Sequence, residues 1–574
     1  MPGRIPTLPT NIPARLLRLC LPKSAHHFNV KRGMNMLRKM ICLLLLSAVM
    51  LTAFAGCSDS GSADSGSREV TLTEGWDFSS GFYPVLTPER STTYGFYLYA
   101  ANFYETLVNY RDGKFVPGLA ESWDISEDGL VYTFHLKKNI KFSDGAEFNT
   151  QAVKKNLEAI PVNLGSYNGS YGTVSAIINK VVEVDSSTVE VHLKTPYYGA
   201  LKDFTMLNPM AMVSPNAFNP DGTVKDTLMT ATLGTGPYMY NGATDGTTYT
   251  FVGNPNYAGE KPQVESFHVK VIPDADARLL ALRSGEIDLI LGASKISYDA
   301  FNEMKAAKGY SAIVSKTATT TRLLGLNVNK APFNDRNVRL AANYAVDKNA
   351  LVSGLFSGIE SKADSLFDPE LPYSKVDLKP YEFSKEKAKA LLQESGWVDS
   401  DGDGIREKNG VRLSGEIIYM TGASMRDDLA LALSAQFKDV GMEIKVKGME
   451  MMAYYAETMK DDFTVSLNET YGVSYDPYTF INNMNSKLKK DMVAAKALAL
   501  TDNGDARIEA LNSAADEKKI QEAYDFILRE IHDNAVFVPI SYMKELALFN
   551  NGKIASYTFN GQPSNVDVAG IKLN

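Results

Sequence analysis

The chain is 574 residues long, more than one hydrophobic core ordinarily organises, so two or more lobes are expected. Its 44% hydrophobic and 22% charged residues are those of a globular protein. Formal net charge is −8, but residues 1–56 hold eight Lys/Arg and no Asp/Glu; beyond them 51 basic residues face 67 acidic ones, which excludes a basic nucleic-acid-binding surface.

At the N-terminus, Arg38 and Lys39 precede an apolar run, residues 41–55, with the layout of a bacterial signal peptide. The run is too short to span a bilayer comfortably, and no other stretch approaches the roughly 20 apolar residues that spanning requires. It ends in Ala53-Phe54-Ala55-Gly56-Cys57, similar to a lipobox with Phe54 where Leu is usual. Small residues there admit the peptidase, and Cys57 is then the site of lipid attachment; an uncleaved signal anchor is the alternative. Residues 57–69 read as the tether of a lipid-anchored, extracytoplasmic protein, because SDSGSADSGS is too polar and Gly/Ser-rich to fold. Residues 1–33 carry a second Arg-rich, Pro-containing piece that fits no signal peptide, so translation is expected to begin at Met34 or Met36. Of the three cysteines, Cys20 and Cys42 fall in the segment to be removed. Cys57 alone supports neither a disulfide framework nor a cysteine metal site.

Residues 70–110 open with alternating apolar residues and turn aromatic, with Tyr94, Phe96, Tyr97, Tyr99, Phe103 and Tyr104, most of them expected in a core. Residues 122–126 and 130–136 read as strands, the second alternating Tyr132, Phe134, Leu136 against Val131, Thr133, His135. Glu127-Asp128-Gly129 supplies the hairpin turn between them. Asn149 or Thr150 caps a helix whose apolar face is Val153, Leu157 and Ile160. Residues 181–193 read as another hairpin. The turn Gly234-Thr235-Gly236-Pro237-Tyr238 is no phosphate loop, since it lacks both the lysine and the spacing of one. Residues 267–272 read as a strand ended by Pro273; Asp274 caps a helix over 275–284 that Gly285 ends, and residues 286–289 begin a strand. That spacing predicts an α/β lobe with a new sheet. Ser384 caps a further helix within 384–396, with Ala388, Leu391 and Leu392 on one face.

The pattern LAESW, SEDG, YTFHLKK, FSDG within residues 115–160 resembles the signature of the extracellular solute-binding proteins of ABC importers, in the family that carries peptides and nickel. GTGPY, NPNYAGEKP, APFNDRNVRLAANYAVDK and VFVPISYMKELALF extend the resemblance from about residue 70 to the C-terminus. It implies an α/β, two-lobed periplasmic-binding-protein-like (Venus-flytrap) fold with two hinge crossings. After a signal and upstream segment, 1–56, lobe I would cover 70–271 with an extra subdomain at about 100–230. Lobe II would cover 272–540, and 541–574 would return to lobe I. The resemblance further implies a monomer that catalyses no reaction, captures a small solute and delivers it to a membrane permease. Blocks such as SLFDPELPYSK, REKNG and YDP are most similar to the nickel-binding branch. The expected ligand is therefore nickel or a metal chelate, with a dipeptide or oligopeptide as the alternative, and no other cofactor is expected.

Carried over residue by residue, that branch's cleft puts Tyr97, Tyr455, Tyr471 and Tyr475 at the pocket, Tyr471 standing where the branch has Trp. Ser474 occupies the position at which peptide carriers usually hold the ligand's α-ammonium with Asp. A buried ammonium left unpaired costs on the order of 2–5 kcal/mol, which counts against a peptide. The branch's metal-ligating His falls near Lys489, with no His between His268 and His532, and no Arg lies between Arg111 and Arg278. What remains is an aromatic cleft with hydroxyls and few fixed charges. A metal held by free amino acids, such as a histidine chelate, would bring its own ligands to it.

Asp399, Asp401, Asp403 and Gly404 form the first half of a calcium loop with Glu407 at its ninth position, but Gly410 at the twelfth removes the bidentate carboxylate. The motif reads either as a solvated acidic turn or as a weak structural calcium site. His135, His192 and His268 sit singly in strand patterns and read as structural. With neither a G-x-S-x-G motif nor a Cys–His pair, a hydrolase would have no nucleophile.

Overall fold

The computed structural model describes residues 68–85, 94–111, 113–169, 171–422, 425–471, 477–514, 516–560 and 564–574. The signal segment, Cys57 and most of the tether lie outside them. The described chain opens on β1 (Glu69–Glu74), with Val70 and Leu72 buried, and a short helix, α1 (Tyr94–Tyr99). A separate small sheet follows. In it β2 (Ala120–Ile125) and β3 (Val131–Leu136) pair antiparallel across a turn where Gly129 takes φ +68°. Tyr132, Phe134 and Leu136 are buried on one face, as their alternation predicts. Helix α2 (Thr150–Leu164) starts where the Asn149 side chain accepts from the Ala152 N–H, so the cap is Asn149 and not Thr150. Its Val153, Leu157 and Ile160 are buried, and β4 (Ile178–Glu183) and β5 (Thr188–Leu193) complete a sheet of order β2-β3-β5-β4.

Next, β6 (Tyr238–Thr244), β7 (Thr248–Gly253) and β8 (Ser266–Val271) run antiparallel, and β8 pairs in parallel with β1. Asp274 caps α3 (Ala275–Ser284) by accepting from the Ala277 N–H, and Gly285 ends the helix at φ +77°. The expected new sheet does not begin here. Instead β9 (Leu289–Leu291) lies parallel to β1, and after α4 (Tyr298–Ala306) the strand β10 (Tyr310–Val314) joins the same sheet. By strand membership the chain leaves the first sheet only after Val314, while α3 and α4 already pack into the core that the second sheet shares. A strand–helix–strand unit folds back most simply onto the sheet that holds its first strand, and β1 has a free edge there to receive β9.

The second sheet begins with β11 (Thr321–Leu326), buried along its whole length. It continues through α5 (Arg336–Ala345), β12 (Ser361–Lys362) and α6 (Lys385–Glu394), the last capped by Ser384 as expected. There follow β13 (Ser414–Met420), α7 (Arg426–Lys438), β14 (Glu443–Met449), α8 (Met451–Met459) and β15 (Val465–Glu469). Helices α9 (Tyr478–Asn482), α10 (Gly504–Asn512) and α11 (Glu517–Asp533) lead into β16 (Phe537–Tyr542), and the strand order is β12-β16-β11-β15-β13-β14. Finally β17 (Leu546–Asn550) returns to the first sheet, whose order is β10-β17-β9-β1-β8-β7-β6. Among the described residues, the chain thus passes between the two large sheets twice, at residues 315–320 and 543–545. The two passages are bonded to each other. Thr319 N–H donates to the Met543 carbonyl, Met543 N–H to the Thr320 carbonyl and Ser315 N–H to the Glu545 carbonyl, each at 2.8 Å.

The GTGPY turn has a packing reason for its glycines. A Cβ on Gly236 would stand 2.6 Å from the Phe103 carbonyl carbon, and one on Gly234 would come closer still to the Phe103 carbonyl oxygen. Gly236 N–H donates to that oxygen at 2.9 Å, so the two backbones are held in contact. Phe103 in turn stacks on Phe251 at 4.9 Å, inside the first lobe's aromatic core. Gly234→Ala should destabilise the protein by roughly 1–3 kcal/mol, the cost of overpacking a rigid contact, as read from a lowered urea midpoint at unchanged m.

Candidate ligand-binding cleft

The paired passages bring one end of β11, β15, β16 and β17 to the junction of the lobes, and charged residues from distant parts of the sequence meet there. Arg322, the second residue of β11, donates from Nε to both oxygens of Glu360 (3.0 and 3.2 Å) and from Nη1 to Glu469 Oε1 (2.8 Å). Arg426, at the start of α7, donates from Nη2 to Glu469 Oε2 at 2.9 Å. Glu360 also accepts from the Tyr298 and Ser541 hydroxyls. Burial alone would push the Glu469 carboxyl up, but Arg426 and Arg322 outweigh it and hold that carboxyl below its ordinary value. From the first lobe, Lys295 pairs with Glu74, both buried, and lies 5.8 Å from the centre of the Tyr99 ring. Glu545 Oε2 accepts from the Ala293 N–H at 2.8 Å.

The expectation of few fixed charges did not foresee these buried ion pairs at the junction. Arginine is indeed missing from the first lobe's expected positions, but the second lobe supplies Arg322 and Arg426. No local motif announces them, since Arg322 and Glu469 are 147 residues apart in sequence. Only the strand order β11-β15 makes them neighbours.

Of the expected pocket residues, Tyr455 and Tyr471 stand within electrostatic reach of each other. Tyr471 donates its hydroxyl to Asp491 Oδ2 at 2.7 Å, accepts from Asn483 Nδ2 at 3.1 Å, and rests edge-on against Phe480 at 5.1 Å. Tyr455 is 49% exposed and packs on the buried Tyr454, whose hydroxyl bonds Ser466 Oγ at 2.6 Å. Tyr97 belongs to α1 in the other lobe and is 37% exposed. Ser474 and Tyr475 lie outside the described residues.

The small sheet's rim touches the second lobe. Tyr197 and Tyr198 each set their rings 5.1 Å from that of Tyr478 on α9, the second nearly perpendicular. The Tyr198 hydroxyl meets that of Tyr524 at 3.1 Å, and Tyr198 N–H donates to the Asn512 carbonyl. Lys490 Nζ donates to the Gly169 carbonyl at 2.5 Å. Tyr478 is accordingly part of the first lobe's core although its helix belongs to the second. These contacts join the small sheet to the second lobe.

Three further features stand apart from the junction. A polar cavity of about 170 Å³, among Glu105, Arg111, Tyr257 and Asp567, is lined by first-lobe residues only. The histidines have structural partners: His135 with Asp124 at 3.0 Å, His192 with Glu190 at 2.8 Å, His268 with Thr250 at 3.0 Å, and His532 stacked on Tyr381 at 4.4 Å. In the acidic loop, Asp399, Asp401 and Asp403 offer oxygens within 4.8 Å of one another, all exposed. Those oxygens already accept backbone N–H groups of Gly402, Asp403, Gly404 and Ile405, and Arg412 Nη1 reaches Asp403 Oδ2 at 2.7 Å. Glu407 turns to the Ser400 N–H and hydroxyl at 3.0 Å.

Comparison with known proteins accounts for the arrangement. Residues 114–491 match the family model of the bacterial extracellular solute-binding proteins, family 5, middle region. The nickel-binding periplasmic protein of Escherichia coli K12 is 33% identical over 450 residues, 78% of this chain and 84% of that protein. The oligopeptide-binding protein AppA of Bacillus subtilis is 25% identical over 536 residues, 88% and 94% of the two chains. Among solved structures, NikA from Brucella suis in complex with Fe(III)-EDTA superposes with a TM-score of 0.82 at 31% identity, covering 88% of this chain and all of that one.

Two outcomes follow from the geometry. Tyr478→Ala removes ring contacts worth about 0.5–1.5 kcal/mol each, so it should weaken every cleft ligand by roughly three- to tenfold, keep their rank order, and enlarge the radius of gyration in X-ray scattering. Calcium at 1 mM should move the melting temperature by less than about 1 °C, whereas a rise beyond about 2 °C would make the acidic loop a calcium site.

Proposed function

Because the chain belongs to the bacterial extracellular solute-binding proteins of family 5, we propose that the solute it captures is nickel, held in a small-molecule chelate. Proteins of this family are the solute-capturing components of ABC importers and not enzymes. They work outside the cytoplasm and hand a small ligand to a membrane permease. The observation that carries the nickel reading is the 33% identity to a nickel-binding periplasmic protein across 84% of that protein's length. The likeness to NikA at a TM-score of 0.82 supports it.

The physical mechanism needs no chemistry on the ligand. Two bonded passages make a hinge, and a ligand that touches both lobes binds the closed form better than the open one, so it shifts the population toward closure. Tyr455 and Tyr471 would face it from the second lobe and Tyr97 from the first, with Ser474 and Tyr475 completing the pocket. In this reading Cys57 carries the lipid that keeps the monomer at the membrane, after removal of residues 1–56, and residues 57–69 give it reach. No described helix is long and apolar enough to cross a membrane.

A peptide is the second reading, favoured by the 25% identity to an oligopeptide-binding protein over 536 residues. Ser474, in place of a carboxylate, counts against it. Native mass spectrometry with elemental analysis of gently purified protein separates the two: about one nickel per chain is expected, and a ladder of peptide masses without metal would overturn the nickel reading.

A further inference from the structure

Not every charged group at the lobe junction belongs to an ion pair. Arg322 and Arg426 are matched by Glu360 and Glu469, and Lys295 by Glu74. Arg278, buried beside Glu74 as well, donates to the carbonyls of Ile272, Pro273 and Lys295 and to no carboxylate. Glu545 is left over: among the described residues it forms no ion pair, and its one side-chain hydrogen bond is the 2.8 Å bond from the Ala293 N–H. Its backbone is fixed on both sides, the N–H donating to Ser315 Oγ at 3.0 Å and the carbonyl accepting from Ser315 N–H at 2.8 Å. It therefore sits on the passage itself, between the two lobes, and it keeps part of its surface accessible while Glu74 and Lys295 behind it are buried.

We infer that Glu545 is the anchor for a positively charged group on the ligand, which makes the cleft selective for cationic over anionic solutes. The inference rests on the reading of this junction as the ligand cleft and narrows the class of chelate it takes. The groups facing Glu545 agree with it. Lys295 is engaged by Glu74, and Glu469, itself paired with Arg322 and Arg426, lies within electrostatic range from the other lobe. Burial raises the Glu545 carboxyl above its ordinary value despite the Ala293 N–H and Lys295, as expected of a carboxylate with no cation in contact. A ligand cation would fill that vacancy, and an anion would meet uncompensated repulsion.

The test is calorimetric titration of the wild type and Glu545→Gln at pH 7 with three probes: the cationic one-to-one complex of nickel with L-histidine, dianionic nickel–EDTA, and dialanine, whose ammonium is free. Gln keeps an acceptor for the Ala293 N–H, so folding should survive the change. The wild type should bind nickel–histidine at least tenfold tighter than nickel–EDTA, and Glu545→Gln should lose at least tenfold on nickel–histidine while nickel–EDTA is unchanged or improved. Equal affinity of variant and wild type for nickel–histidine overturns the inference, as does a wild type that prefers nickel–EDTA or binds none of the three. If the wild type ignores both nickel species but binds dialanine, and the variant loses it, the nickel reading falls while the assignment of Glu545 stands. Should the variant not fold, the wild-type ranking of cationic over anionic complex decides alone.

Discussion

A guanidinium shared between two carboxylates ties the second lobe together where it meets the first. Arg322 lies just past the first passage, bound to Glu360 on one side and to Glu469 on the other, and Arg426 takes the second oxygen of Glu469. With side-chain exposures of 6% for Arg322 and none for Glu360, these charges are out of water and depend on each other. Breaking such a pair by removing one partner leaves a buried charge uncompensated, at about 3–5 kcal/mol, far more than a surface pair is worth. The network also fixes where the ends of β11 and β15 stand, two residues before Tyr471.

Much of the architecture was legible because it is written locally. The turn at Gly129, the Asn149 and Asp274 caps and the left-handed Gly285 each depend on a few adjacent residues, and those residues announce them. Which sheet receives β9 and β10 was not legible. A strand–helix–strand spacing is the same whether the second strand opens a new sheet or returns to the old one, and the deciding fact is the vacancy beside β1. The junction charges escaped for a related reason. Glu74 and Lys295 are 221 residues apart, and no periodicity relates them.

The candidate site shows the same division. Its tyrosines came from likeness to a family, and Tyr455 and Tyr471 do share one region of the second lobe, while Tyr97 stands in the first. Its electrostatics came from topology alone. Absent arginines in the first lobe suggested a nearly neutral cleft, yet the second lobe brings its own arginines and cancels them with its own carboxylates.

The two passages between the sheets are laced together by backbone hydrogen bonds, from Thr319 and Thr320 to Met543 and from Ser315 to Glu545. A two-ply ribbon of this kind flexes across its flat face far more readily than it shears or twists. Any opening of the lobes therefore has to bend the two passages together.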